Sequence, residues 1–218
     1  MNTDIFKFWS DMPKDACKHP ADELVLQRTS PRFEPTCLPS AYDGPLKKAK
    51  VVLLFLSPGF DSRDVAHGAG AAGKEFYARQ RSGEGKLASL EEHPSAYEWI
   101  RKRLGQFGIK SDAEYEQARS IVAIFNIGAY KSQTFKDWPM LAALPSCRVA
   151  LDWAQSELFP KAVSGKKVVV CMRSPKYWGL GGPTEGLLFC PPCTRGGFMK
   201  KGKLRDQIER VVREASLS

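Results

Sequence analysis

Between Val51 and Leu56 the chain reads V-V-L-L-F-L, an unbroken apolar run that stops dead at Ser57-Pro58-Gly59. With no polar residue at alternate positions, neither side of such a strand can face water. It must be buried on both faces, as in a parallel sheet covered by helices on either side. Ser57-Pro58-Gly59 then turns the chain sharply at the strand's carboxyl end, the edge at which open α/β sheets bind ligands. Any strand-to-helix turn favours the same residues, so the turn taken alone is scaffold.

Similar signals recur downstream. Arg119–Phe125, Lys167–Met172 and the weaker Leu187–Phe189 are further buried-strand candidates. A short helix is expected at Ile5–Trp9; the capping pattern Ser95-Ala-Tyr-Glu98 opens a helix with Tyr97, Ile100 and Leu104 at helical spacing, and the same pattern in Ser111-Asp-Ala-Glu114 opens a short one. Pro145–Phe159 places Val149, Ala150, Trp153, Ala154 and Leu158 on one face, with Pro160 as its stop; Lys203–Glu214 turns Leu204, Ile208, Val211 and Val212 inward. Pro31 to Pro45 reads as an irregular approach dense in turn formers, His67 to Gly73 as a flexible glycine-alanine loop, and Phe76–Gly85 as a basic, mobile segment. The loop H-G-A-G-A-A-G does not fit the dinucleotide pattern G-x-G-x-x-G. Strands alternating with helices predict an α/β protein with a mostly parallel sheet. Without internal repeats, the reading is one domain over residues 1–218, with 1–37 an N-terminal extension packed on it.

Composition bears on partners. The 218 residues carry a formal charge of +9, which favours polyanions, with nucleic acid the commonest candidate. No apolar run approaches the ~20 residues of a membrane span, and MNTDIFKFWSDM lacks the pattern of a secretion signal. The expectation is a cytoplasmic monomer with no membrane partner and no cofactor. Of Cys17, Cys37, Cys147, Cys171, Cys190 and Cys193 only the last two form a close pair. A zinc site would want a second pair or neighbouring histidines, and His19, His67 and His93 are scattered, so no metal is expected.

Four loops are expected to crowd the carboxyl edge of the sheet: Ser57 to Asp61, Asn126 to Ser132, Arg173 to Trp178, and Cys190 to Arg195. Together they offer an amide (Asn126), aromatics (Phe60, Tyr130, Tyr177, Trp178) and cations (Lys131, Arg173, Lys176, Arg195). Rings stack on bases, an amide reads a base edge, and cations hold phosphates. Each residue also has a plainer reading. Asn126 can be a turn residue, Asp61 a helix cap, Tyr130 and Trp178 packing residues, and Lys131 and Lys176 exposed cations that contribute only field.

The stretches L-P-S-A-Y-D-G-P-L-K-K-A-K-V-V-L-L-F-L-S-P-G-F, I-V-A-I-F-N-I-G-A-Y-K-S, L-P-S-C-R-V-A-L-D-W and V-V-V-C-M-R-S-P-K-Y-W carry a resemblance. In order and spacing, from about residue 38 to 195, the chain resembles the uracil-DNA glycosylase superfamily, in a bacterial branch whose first motif reads roughly N-P-G-F. The resemblance implies a three-layer αβα sandwich around a four-stranded, mostly parallel sheet, and chemistry on an extruded base. It implies Asn126 as the base-reading amide and Phe60 or Phe76 as the stacking ring, with Tyr130 beside them. Lys131, Ser132, Arg173, Lys176, Trp178 and Arg195 would contact phosphate or nucleic acid, DNA above all. The chain departs from the family at two places. Ser57 stands where the family has Asp or Asn, leaving Asp61 or a water held by Ser57 for attack, and C-P-P-C-T-R carries no histidine where the family has H-P-S. A neutral hydroxyl is a poor general base. The reading is therefore a protein that binds nucleic acid or a flipped base, with hydrolysis of an N-glycosidic bond as its chemistry. The alternatives are a non-catalytic DNA- or protein-binding module and an enzyme on a small phosphorylated nucleoside.

Overall fold

The computed structural model describes residues 4–29, 32–181 and 185–217. At its centre β1 (Tyr42–Asp43), β2 (Val51–Phe55), β3 (Val122–Asn126), β4 (Val168–Cys171) and β5 (Leu188–Phe189) form one sheet in the order β1-β3-β2-β4-β5. The last four run parallel, with Val51 opposite Val122 on one side and Val168 on the other. Strand β1 is antiparallel on the outer edge of β3, pairing Tyr42 with Phe125 and Asp43 with Ile124. The expected four strands are thus corrected to five in a mixed sheet. The added strand lies in the stretch that reads as an irregular approach, whose first residue, Pro31, is outside the described residues. It is held by tertiary contacts: Tyr42 packs on Phe125 and its hydroxyl donates to the carbonyl of Arg81.

Both faces of the sheet are covered, as the apolar run of β2 requires. Val52, Leu54 and Leu56 join a core with Phe125, Trp153 and Trp178; Val51, Leu53 and Phe55 join one with Ile100, Phe107 and Ile208. To the first core α1 (Ile5–Ser10) and α2 (Glu23–Gln27) bring Ile5, Trp9 and Leu26. On the second face lie α3 (Arg63–Ala69), α4 (Ala71–Arg81), α5 (Pro94–Leu104) and α6 (Asp112–Ala118). After β3 come α7 (Met140–Ala143), α8 (Pro145–Trp153) and α9 (Phe159–Val163), and α10 (Lys203–Leu217) packs Ile208 and Val212 into the second core.

Several local expectations change. The glycine-alanine loop and the mobile segment are helices α3 and α4, and α4 buries Phe76, Tyr77, Gln80 and Arg81. Glycine at 73 has a packing reason: a Cβ there would lie 1.8 Å from the carbonyl oxygen of His67. Ser111 makes the expected capping box with Glu114, whereas Ser95 lies inside α5, which starts at Pro94 behind His93. Pro160 does not stop its helix. Residues Ala154–Leu158 wind as a π turn, so Pro160 falls in the first turn of α9, where its missing N–H removes no needed donor. No helix among the described residues is long and apolar enough to cross a membrane.

Candidate functional site

Strands β2 and β3 end side by side, and the chain leaving each is stitched to the other. Ile127 N donates to Phe55 O (3.3 Å), Gly128 N to Leu56 O (2.9 Å) and Ser132 N to Pro58 O (3.3 Å). Between this joined edge and helices α3 to α5 opens a cavity of about 320 Å³. The sheet lines it with Asp43, Ile124 and Asn126, α4 with Phe76 and Tyr77, α5 with Ser95 and Trp99, and the turn after β2 with Phe60 and Asp61. Trp99 is fixed edge-on to Phe55 (ring centres 5.0 Å apart) and by the Arg103 guanidinium 3.9 Å above it.

One wall is a continuous chain of buried hydrogen bonds. Lys131 Nζ reaches Asp64 Oδ2 at 3.2 Å, and both side chains are more than nine-tenths buried. Asp64 Oδ2 also accepts from the backbone N–H of Asp61 at 3.0 Å, while Ser95 Oγ donates to Asp64 Oδ1 at 2.7 Å. Because Ser95 spends its proton there, it accepts from His93 Nδ1 (3.2 Å), leaving Nε2 to accept from the Tyr77 hydroxyl (3.0 Å). His67 stacks on His93, ring centres 3.9 Å apart.

Electrostatics follow from that wiring. Burial alone would raise the Asp64 carboxyl, but Lys131, Ser95 and the Asp61 amide outweigh it and hold it below the usual carboxylate range. Burial likewise opposes the charge on Lys131, yet Tyr77 and Asp64 keep its ammonium above the ordinary lysine value. Burial, then Lys131 and His67, push His93 down to about 3, so the ring is neutral; its 3.7 Å approach to Asp64 Oδ1 is no ion pair. Asp43 is pushed up to about 7, by burial above all, with Lys131 opposing.

The residues singled out in the sequence are distributed unevenly over this site. Asn126, Phe60, Phe76, Asp61 and Lys131 line the cavity, whereas Ser57, Tyr130, Ser132, Arg173, Lys176, Trp178 and Arg195 do not. Lys131 is buried in its pair with Asp64 instead of exposed. Tyr130 stacks on Phe33 (4.5 Å) and donates to Asp22 Oδ2 at 2.7 Å, and Trp178 is wholly enclosed in the first core; both rings are packing. Ser132 is buried at the joined edge; Lys176 and Arg195 are exposed, and Arg173 is half-buried on the loop after β4. Asp61 sits at the rim, where Arg63 grips both its oxygens at 2.9 Å. Hydrogen bonds from that guanidinium lower the carboxyl to about 2, so it is a poor base. Its Oδ1 also accepts the N–H of Arg63, first residue of α3, the cap-like contact its plainer reading expects.

Sequence reasoning missed Asp43, Asp64, Tyr77, His93, Ser95 and Trp99. Asp43 reads as a turn residue ahead of Gly44-Pro45, and Ser95 as a cap. The one available signal was Asp64, three residues beyond Asp61 and so on the same face of a helix opening there.

These features define an α/β protein with an aromatic-walled polar cavity at the carboxyl edge of its central strands. Comparisons of the chain with models of known protein families, with curated proteins and with solved structures return no match. Among the described residues no group of three or more His, Cys, Asp or Glu side chains is arranged to hold a metal ion.

Proposed function

We propose that the cavity receives a nucleobase turned out of a DNA strand, and that the protein hydrolyses the N-glycosidic bond of a modified base on a three-layer scaffold of the uracil-DNA glycosylase kind. The observation that carries this reading is the meeting of Asn126 and Phe76 in one cavity beside the buried Asp64–Lys131 pair. At about 320 Å³ the cavity falls at the lower end of the roughly 300–1,000 Å³ typical of small-molecule sites. Phe76 stacks on the ring and Asn126 reads its edge. Water attacks the sugar carbon as the carbon–nitrogen bond breaks, and its proton leaves with the base. Asp64, fixed in its ionised state, faces the positive charge that grows on the sugar. Lys131 faces the negative charge on the departing base. Prearranged charges of this kind are worth about 10²–10³ in rate.

The second reading, a non-catalytic binder, is favoured by a specific feature: Asp61 and Asp64 are both fully engaged, so neither is free to take a proton from water. A panel of oligonucleotides carrying uracil, hypoxanthine, xanthine, or oxidised or alkylated bases, followed by cleavage at abasic sites, separates the two. Release of one base, reduced at least about 100-fold in Asn126→Ala and Asp64→Asn, is the expected result. Binding without release moves the assignment to the non-catalytic module. The absence of both binding and release overturns the nucleobase reading.

A further inference from the structure

The sequence offers Cys190-Pro-Pro-Cys193 as its close pair of thiols, and the fold divides it. Cys190 packs against the first core, which holds Val169, Cys171 and Leu188. Cys193 packs against the second, and its backbone bridges to Met199. The sheet gives Cys190 a different neighbour. Strands β4 and β5 run parallel with Val169 beside Leu188 and Val170 beside Phe189, so the next step in register sets Cys171 beside Cys190. Residues in step on neighbouring parallel strands send their side chains to the same face. Such strands lie about 4.7–4.9 Å apart, inside the roughly 4.4–6.8 Å between α-carbons that a disulfide spans. Cys190 also lies just beyond the paired residues of β5, where the ladder does not hold it in place.

We propose that Cys171 and Cys190 form a thiol oxidation site, which a peroxide converts to a disulfide across the ends of β4 and β5. The two sulfurs divide the work by access. Cys171 is 1% exposed and Cys190 half-buried, so a small oxidant meets Cys190 first. Hydrogen bonding with the Cys171 thiol holds Cys190 below the ordinary thiol value although burial opposes it, and the same contact, with burial, pushes Cys171 up. The thiolate is the reactive form, so the accessible sulfur is also the nucleophilic one. The Cys190 thiolate attacks one oxygen of hydrogen peroxide and the O–O bond breaks. That sulfur becomes a sulfenic acid, and the second oxygen leaves as hydroxide and takes up the proton Cys190 had released. The Cys171 sulfur then displaces the sulfenic oxygen, which carries off the Cys171 proton as a second water. Two electrons pass from the pair of sulfurs to the peroxide, and exchange with a reducing thiol returns them. The bond ties together the roots of two loops of the carboxyl edge, Arg173 to Trp178 and Cys190 to Arg195.

The test is exposure of the full chain to hydrogen peroxide, then alkylation of the remaining thiols in denaturant and peptide mass mapping without reduction. Cys171 and Cys190 should lose their alkylation together, and a peptide linking them should appear and disappear again on treatment with dithiothreitol. The same link should form in Cys193→Ser, which separates Cys190 from its neighbour in the C-P-P-C stretch. In the double variant Cys171→Ser/Cys193→Ser the sulfenic acid has no thiol beside it, and dimedone should label Cys190. A Cys190–Cys193 bond in wild type would overturn the proposal, as would Cys190 carried to a sulfinic acid while Cys171 stays a thiol. So would full alkylation of both cysteines after excess peroxide; none of these three results needs a variant. Loss of the link in folded Cys193→Ser would assign the bond to Cys193 and overturn it too.

Discussion

Asp64 and Asp43 line one cavity and carry opposite relations to pH. Asp64 is depressed by its partners, so its contribution to stability is full above the ordinary carboxylate range and is lost as pH falls through its folded value. Breaking such a buried pair leaves an unpaired charge. Lys131→Met should therefore destabilise by about 3–5 kcal/mol in urea unfolding, and the double variant with Asp64→Asn should recover part of that loss. Asp43 works the other way. Its folded form keeps a proton to about 7 where the unfolded chain releases it near 3.8, so wild type loses stability as pH rises between those values. His93, neutral in the fold and protonated when unfolded, gains over part of the same window and masks this in wild type alone. The difference between Asp43→Asn and wild type isolates it. The variant should gain on wild type between pH 4 and 7, by on the order of 4 kcal/mol if the full difference is realised, and stay level above that. A difference that does not change with pH would show that Asp43 ionises normally in the fold.

At the scale of elements, the α3–α4 clasp holds Phe76 and Tyr77 in the cavity wall, and it depends on a glycine. In Gly73→Ala the new methyl would meet the His67 carbonyl 1.8 Å away, and overpacking of this sort costs about 1–3 kcal/mol. Urea unfolding should show that loss, with weaker ligand binding beyond it because α4 moves; an unchanged midpoint would show that the clasp has slack. This clasp is also the part of the fold least legible in the sequence. Its glycines and alanines carry no apolar stripe, so H-G-A-G-A-A-G reads as loop, and its helical form comes from packing over the sheet. The parallel strands were legible because continuous apolar runs have few other destinations. Strand β1 was not, since two residues beside Gly44-Pro45 carry no period and pair only because β3 is there. The site divides likewise. Asn126, Phe60 and Lys131 adjoin strand ends and are found by following the strands, whereas Tyr77, His93 and Ser95 come together only when α4 and α5 dock. Trp178 and Tyr130 also follow strands, but both rings turn inward.

At the scale of the molecule, 33 basic against 24 acidic residues set the long-range field. If a single-stranded nucleic acid is the partner, the logarithm of affinity should fall linearly with the logarithm of salt. Three phosphate contacts at about −0.7 each give a slope steeper than about −2. A flat response in fluorescence anisotropy would leave the charge to other uses. The sheet's rims have a consequence of another kind. Its outermost strands, Tyr42–Asp43 and Leu188–Phe189, are two residues each. A neighbouring chain that adds itself to a sheet needs a long row of open backbone donors and acceptors, and rims this short offer almost none. The segment best suited to fibre growth, V-V-L-L-F-L, is mid-sheet with β3 and β4 on its flanks. Concentrating the folded protein should therefore not seed fibrils, and clumping in storage or overexpression would have to start from chains that have already come undone.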